Sequence, residues 1–202
     1  MKLLIFVLFL SLYNTSNCSI LNNDFQRITK KNYNEKQLVK TAAINTLKWF
    51  FNVHNKTQRT FNKFYIKGNE GDFSNPYRID FDGVREYFGY LKKTDLFSQK
   101  FFDDLFEYFK KCDSNFIVIK QFEKIPIGFE YNLITKDMDD VGIEENINTS
   151  VISSYKKRGN TVHLSLKFDG AYTYIFVLTK HKNKWLVDNI NGDFRTLNSK
   201  PI

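Results

Sequence analysis

The sequence predicts an α+β domain, with N-terminal helices packed on a curved antiparallel sheet that ends in a C-terminal meander. Two patterns predict this class. In the first half, apolar residues recur at three- and four-residue spacings, as on the buried face of an amphipathic helix. In the second half, apolar and polar residues alternate between turn signals, as in half-buried strands. Helices first and strands last are typical of α+β domains.

Length and composition limit the alternatives. A chain of 202 residues can bury one substantial core, and it shows no internal repeat or domain boundary. A hydrophobic fraction of 42% and an aromatic fraction of 17% exclude a disordered chain. Two cysteines are too few for the disulfide framework of a small secreted scaffold.

The first eighteen residues have the layout of a secretory signal peptide. Lys2 precedes an apolar run over residues 3–12, and small and polar residues follow. The run is too short to span a bilayer, which takes roughly twenty residues. A buried N-terminal helix is the alternative, but the segment has no polar face. We therefore expect an exported protein with a signal peptide (1–18), a polar tether (19–34) and a single domain (35–202).

Cys18 lies at the end of this leader and leaves two maturation routes open. Cleavage before Cys18 exposes an N-terminal cysteine whose thiol can carry a diacylglycerol, and the preceding residues loosely resemble a bacterial lipobox. Cleavage after Cys18 releases a plain secreted chain. We prefer the lipoprotein, located in the periplasm or anchored to the membrane. Cys112 then stands alone, and we expect a structural thiol there rather than a reactive one.

The spacing predicts three helices. The first covers residues 35–54 with Asn34 as its N-cap, and the third follows Ser98 as its N-cap. Residues 55–80 are interpreted as a long irregular connection. The three apolar stripes are Val39, Ala43, Leu47, Phe50 and His54; Val84, Tyr87, Phe88 and Leu91; and Phe101, Phe102, Leu105, Phe106 and Phe109.

Short apolar runs predict strands in the second half. Two are expected at Phe116–Phe122 and Phe129–Ile134. A third strand alternates through Val162, Leu164, Leu166 and Phe168, and Asp169-Gly170 is a strong hairpin signal after it. Tyr172–Leu178 is apolar on both faces, which predicts a central strand, and Trp185–Ile190 completes the meander.

The segment GNTVHLSLKFDGAYTYIFVLTKHKNKWLVDNI resembles the final meander of nuclear-transport-factor-2-like folds. In those folds a hairpin ends in a Trp-apolar-apolar-Asp-x-Ile strand, matched here from Trp185 to Ile190. The helix that contains LKWFF is similar to their first helix. The segments YFGYLKKTDLFSQKFFDDLFEYFKKCD and PIGFEYNLITKDMDD resemble a group of exported bacterial proteins of unknown function, many of them lipoproteins. The superfamily includes isomerases, dehydratases, transport factors and ligand-binding modules. The fold therefore does not determine the function.

Three functions stay open at this point. The first is a non-catalytic, lipid-anchored envelope protein that binds a ligand or a protein partner. The second is an isomerase or hydro-lyase in which a pocket carboxylate works with a tyrosine, as the resemblance implies. The third is an immunity or inhibitor protein that neutralises a toxin. The resemblance also implies dimerisation through the open face of the sheet. The candidate pocket residues are Trp49, Tyr131, Asp137, Asp140, Tyr174 and Trp185.

No metal or other cofactor is expected. Asp137, Asp139 and Gly142 match the first, third and sixth positions of a calcium-binding loop. Val141 and Asn148, however, occupy the fifth and twelfth positions, where the loop requires an oxygen ligand and a bidentate glutamate. We interpret the segment as a solvated acidic loop. The three histidines have no spacing that makes a local ligand pair.

The formal net charge of +8 comes from basic residues spread along the chain. Such a surface keeps an aromatic-rich fold soluble. It can also face anionic lipid headgroups or acidic envelope polymers without specific contacts. Nucleic-acid binding would need the basic runs on one face, and we do not expect it for an exported protein.

Overall fold

The structure is a computed structural model. It describes residues 33–54, 66–68, 70–123, 125–136, 143–169 and 172–191. The chain divides into two compact units, Met1–Leu38 and Val39–Ile202. The described part of the first unit, residues 33–38, is helical. The predicted signal peptide and Cys18 lie outside the described residues. Residues 33 and 34, predicted as the end of the tether, are already helical, so Asn34 is not an N-cap.

The architecture is α+β, as predicted, with four α-helices and six strands in the described residues. Helix α1 covers residues 33–49 and continues as a π-helical turn, Phe50–His54. The other helices are α2 (Phe81–Lys92), α3 (Gln99–Ile119) and α4 (Ile143–Asn146). The strands are β1 (Ile66–Lys67), β2 (Arg78–Ile79), β3 (Val151–Arg158), β4 (Thr161–Lys167), β5 (Thr173–His181) and β6 (Lys184–Ile190).

Strands β3 to β6 form an antiparallel meander in the order β3-β4-β5-β6. β5 is an interior strand, as its two-sided apolar pattern predicts. β3 was not predicted, because its end at Lys156, Lys157 and Arg158 is exposed on both faces and shows no alternation. The predicted hairpin joins β4 to β5, although Gly170 lies outside the described residues.

One hydrophobic core contains residues from the sheet and the helices. The sheet contributes alternate side chains from β4, β5 and β6, which share one face. α3 contributes its buried face, and Ser98 caps its first turn by accepting from the Phe101 amide, as predicted. The largest fully buried side chains are Tyr87, Tyr174, Phe50, Phe101, Phe109, Phe116, Phe168, Phe176, Leu47, Leu91 and Leu105.

The strand predicted at Phe116–Phe122 is wrong, because α3 continues to Ile119. Phe109, Cys112 and Phe116 prolong the helical stripe at three- and four-residue spacings, and all three are buried. The helix ends at Lys120, whose amide donates to the Phe116 carbonyl and whose positive φ of 50° turns the following chain out of the helix. A short apolar run cannot by itself be assigned to helix or strand.

The strand predicted at Phe129–Ile134 is also wrong, because this segment forms turns. The Asn132 side chain accepts from the amides of Ile134 and Thr135, an arrangement typical of asparagine turns. The apolar residues are nevertheless buried, as the run indicated: Phe129, Leu133 and Ile134 belong to the core. Burial was predicted correctly here and backbone conformation was not.

A buried carboxylate ties α3 to β2. Asp113 accepts from Arg78 Nε at 2.9 Å, from Arg78 Nη2 at 3.0 Å and from the Ile79 amide at 3.0 Å. The hydrogen bond from Arg78 lowers the pKa of Asp113 below its ordinary value. The bidentate geometry fixes the chain before α2 against the last third of α3.

A second junction joins α3 to the turn around Gly128. The Tyr108 hydroxyl donates to the Gly128 carbonyl at 2.5 Å. Gly128 has a φ of +93°, and a Cβ added there would lie 2.7 Å from Tyr108 Oη and 3.1 Å from Cys112 Sγ. Only glycine fits this approach, because both the backbone conformation and the space exclude a side chain.

We expect Gly128→Ala to lower the free energy of unfolding by roughly 2–4 kcal/mol, because it adds backbone strain to overpacking. Gly71→Ala is the matched control, since Gly71 has a φ of +80° with no atom within 4 Å of an added Cβ. The control substitution should lower the free energy of unfolding by only about 1 kcal/mol. Urea unfolding measures both values, and equal losses would contradict the proposed close packing at Gly128.

Candidate functional site

Three predicted pocket residues are part of the packed interior. Tyr174 and Trp185 are only 2% and 5% exposed. Tyr174 packs against the rings of Phe168 and Phe176. Trp49 is half-buried and contacts Phe97, His54 and Tyr90 through its ring. The described ring contacts of Trp49 and Tyr174 go to other aromatic residues, and Lys180 Nζ lies over the Trp185 ring.

Tyr131 lies in a different part of the fold. Its hydroxyl is 2.5 Å from the hydroxyl of Tyr108. Burial raises the pKa of Tyr108 above its ordinary value and raises that of Tyr131 to about 12. Both phenols therefore stay protonated at neutral pH. Asp137 and Asp140, the predicted carboxylate partners, lie outside the described residues, as does the first half of the acidic segment, 137–142. The second half was predicted as a solvated loop, but Ile143–Asn146 form helix α4, and Ile143 and Ile147 are buried.

His54 closes the π-helical turn inside an aromatic environment. Its Nε2 lies 2.9 Å from the Tyr87 hydroxyl, and both residues are buried. The Phe50 ring stacks on the imidazole with centroids 5.5 Å apart. Burial lowers the pKa of His54 from 6.5 to about 4, so the ring is neutral at neutral pH. The sequence showed His54 on the apolar stripe, but its tyrosine partner is 33 residues away.

A buried carboxylate in β6 was not among the predicted site residues. The register between β5 and β6 shifts at Val177 and Leu178, and Asp188 is the extra residue of this bulge. Asp188 is 3% exposed, and its Oδ2 accepts from Thr179 Oγ1 at 2.6 Å. Thr179 in turn lies 3.3 Å from the Thr161 hydroxyl. The available signal was an acidic residue directly after the apolar run Trp185–Val187.

The C-terminal end of α3 presents an exposed apolar surface, which we call the apolar tip. Val118 is 82% exposed, Phe73 75% and Ile125 61%. The Phe73 ring packs on that of Phe122 with centroids 3.8 Å apart. The apolar tip consists of Phe73, Ile117, Val118, Ile119, Phe122 and Ile125.

Polar contacts hold the apolar tip in place. The Gly71 and Tyr77 amides donate to the carbonyls of Phe122 and Gln121, at 2.6 and 2.8 Å. The Gln121 side chain donates to the Glu123 and Ile125 carbonyls and accepts from the Ile127 amide. The exposed apolar residues therefore stand on a hydrogen-bonded scaffold, so their exposure is built into the fold.

Two basic runs of the sequence, 156–158 and 180–184, meet at one end of the sheet. Arg158 pairs with Thr161, and Thr161 pairs with Thr179. The Lys180 amide donates to the Asn160 carbonyl at 2.8 Å, so the β3–β4 and β5–β6 turns are neighbours. We call this surface the basic hairpin end. Its cationic residues are Lys156, Lys157, Arg158, Lys180, Lys182 and Lys184.

No cluster of three His, Cys, Asp or Glu side chains that could hold a metal ion occurs in the described residues. Cys112 is 1% exposed, which makes it a buried thiol rather than a reactive one. None of the described helices is both long enough and apolar enough to cross a membrane.

Comparison with known proteins identifies no relative. No family model matches the chain, no curated protein matches its sequence, and no solved structure matches its fold. The resemblance to nuclear-transport-factor-2-like folds therefore stays a prediction.

His54 makes stability depend on pH. Below about pH 6.5 the unfolded chain takes up a proton that the folded chain excludes down to about pH 4, so the free energy of unfolding falls by up to ~3 kcal/mol across this window. In the variant His54→Phe/Tyr87→Phe, which removes both hydrogen-bonding partners, we expect most of this decrease to disappear. Urea unfolding at several pH values measures it.

The matched control is His163→Gln, because His163 is exposed on β4. The free energy of unfolding of this control should fall with pH as it does in the wild type. An unchanged pH dependence in the double variant would show that another group controls stability in this range.

Proposed function

We propose that the chain is a non-catalytic, exported and lipid-anchored envelope protein that holds a protein partner at its apolar tip. The observation that carries this proposal is the exposure of five apolar side chains at the C-terminal end of α3, with the half-buried Phe122 among them. Apolar patches of this kind mark interaction surfaces, because water-exposed apolar area is unfavourable and is covered on binding. Export and the lipid on Cys18 follow from the leader sequence.

The composition of the apolar tip favours a protein partner over a lipid bilayer. Its apolar side chains are those of phenylalanine and branched aliphatic residues, and the exposed Lys120 and Glu123 are adjacent to them in the sequence. An apolar centre with a polar rim is typical of protein interfaces. A carboxylate between Phe122 and Ile125 is unfavourable inside a bilayer, since it would lose its hydration there.

The packed interior favours binding at the surface over chemistry in a pocket. Tyr174 and Trp185 fill the core, and Tyr131 is held protonated against Tyr108. The buried Asp188 accepts from Thr179. The Tyr131 hydroxyl and one carboxylate oxygen of Asp188 are thus engaged in contacts within the fold. The isomerase hypothesis would have to rest on Asp137 and Asp140, which the structure does not describe.

A toxin-neutralising inhibitor is the specific form of this proposal that the apolar tip favours. Such a protein needs an exposed surface that is already ordered, because ordering a surface on binding lowers affinity. The hydrogen bonds of Gln121 and Gly71 supply this order before binding. The partner of such an inhibitor is a toxin, so its identification separates this form from a structural envelope role.

Site-specific photocrosslinking tests the apolar tip. We expect benzoylphenylalanine at position 118 to join the chain to one discrete protein in its native cells, because Val118 is the most exposed residue of the tip. Adding Ile125→Asp should reduce the yield of this adduct at least about tenfold, as expected for a charge placed in an apolar interface. Denaturing gels and peptide mass spectrometry measure the adduct.

The matched control carries the same probe at position 151, since Val151 is also exposed, at 58%, but lies on β3. It should give no adduct with that protein. The absence of a discrete adduct at position 118, or equal adducts at both positions, would contradict the proposed surface.

The intact mass of the mature protein tests the proposed anchor. We expect a chain that begins at Cys18 and carries a diacylglycerol, because the leader ends in a lipobox-like stretch. The mass of the protein extracted from its native envelope measures this. An unmodified chain that begins at Ser19 would contradict lipidation and support plain secretion.

A further inference from the structure

The basic hairpin end is assembled by the topology of the sheet. Its two basic runs, 156–158 and 180–184, are more than twenty residues apart in the sequence. The antiparallel register places the β3–β4 turn beside the β5–β6 turn, so both runs lie at the same end. Across four strands, about 4.8 Å apart, these side chains occupy a strip only about 15 Å wide.

This end carries a strong positive charge. Against its six cationic side chains stand Asp95, which pairs with Lys184, and the buried Asp188, leaving a formal surplus of four. Lysines on an edge strand also prevent two sheets from joining edge to edge. Because β3 is an edge strand, this role accounts for Lys156 and Lys157. That reason does not extend to Lys180, because β5 is an interior strand, or to Lys182, which lies in the β5–β6 turn.

We propose that the basic hairpin end binds an anionic lipid bilayer at the level of its headgroups. Each lysine or arginine close to an anionic bilayer contributes favourable electrostatic energy without a specific contact. Turns that project from one end of a sheet can meet a flat surface together. The large apolar residues exposed on the described sheet, Val151, Tyr172 and Ile175, lie toward its other end, so attachment here is electrostatic and without insertion.

A nucleic acid fits this end less well. Proteins that bind single strands stack bases on exposed aromatic rings. At the basic hairpin end, Trp185 is 5% exposed and Tyr155 is half-buried, so both rings face the core. Lys180 Nζ lies over the Trp185 ring, 5.9 Å from its centroid.

The location of this end relative to the apolar tip agrees with attachment to a membrane. The Ser98 amide at the start of α3 donates to the Val187 carbonyl in β6, and Asp95 pairs with Lys184. The apolar tip is at the other end of α3, whose 21 residues span about 31 Å. A chain attached through the basic hairpin end would therefore leave the apolar tip, at the far end of α3, outside the attached surface.

Binding of the full chain to vesicles tests the proposal. We compare pure phosphatidylcholine vesicles with vesicles of equal parts phosphatidylcholine and phosphatidylglycerol. The wild type should prefer the anionic vesicles and lose this preference between about 50 and about 200 mM salt. The variant Lys156→Gln/Arg158→Gln/Lys182→Gln should bind the anionic vesicles about a hundredfold more weakly. This expectation follows because each removed charge should lower the affinity about fivefold.

The matched control is Lys48→Gln/Lys93→Gln/Lys111→Gln, which removes the same charge from exposed positions on other elements. It should bind within about threefold of the wild type if the local surplus, and not net charge, provides the attraction. All three chains carry the same leader, so membrane insertion of that segment contributes equally to each. Equal weakening of both variants, or equal binding to both kinds of vesicle, would overturn the proposal.

Lysine acetylation locates the contact without substitutions. Anionic vesicles should protect Lys156 and Lys182 of the wild type and leave Lys48 and Lys111 reactive, as read by peptide mass spectrometry. Uniform protection or none would overturn the proposed surface. Tighter binding to a short DNA duplex than to the anionic vesicles, lost in the hairpin variant, would overturn the lipid assignment and identify a nucleic-acid site.

Discussion

The one-sided burial of α3 is the constraint on which the rest of the structure depends. Its aromatic stripe from Phe101 to Phe116 lies in the core, and removing that apolar area from water is the main free-energy gain available to such a helix. The buried face ends at Phe116, one turn before the helix does. Ile117, Val118 and Ile119 are therefore left outside the core by the same geometry that buries the preceding residues.

Polar contacts turn this helix end into a defined surface. Asp113 fixes Arg78 and Ile79 against α3, and the backbone that precedes them reaches the carbonyls of Gln121 and Phe122. At its other end α3 joins β6 through Ser98. A single rigid helix thus connects the two surfaces for which we propose partners. Neither surface needs a catalytic group for the binding that we propose. This agrees with the hydrogen bonds that Tyr131 and Asp188 make to other residues of the fold.

The sequence predicted best where the physical signal is local. Helical spacing identified α2 and α3, and the hydroxyl of Ser98 caps α3 as its position indicated. Alternation identified β4, β5 and β6. The apolar run FIVIKQF was assigned wrongly because burial and exposure inside a short run depend on what packs against it. β3 was missed for the same reason, since its exposed end reaches beyond the core.

The sequence by itself determined the α+β class, the aromatic core and the positive charge of the chain, because periodicity and composition are properties of neighbouring residues. Tertiary structure alone decided which groups meet. The partnership of His54 with Tyr87, the burial of Asp188 in a bulge and the union of two basic runs at one end of the sheet all depend on strand register and helix packing. These are contacts between distant parts of the chain, and they form only when the whole core is assembled.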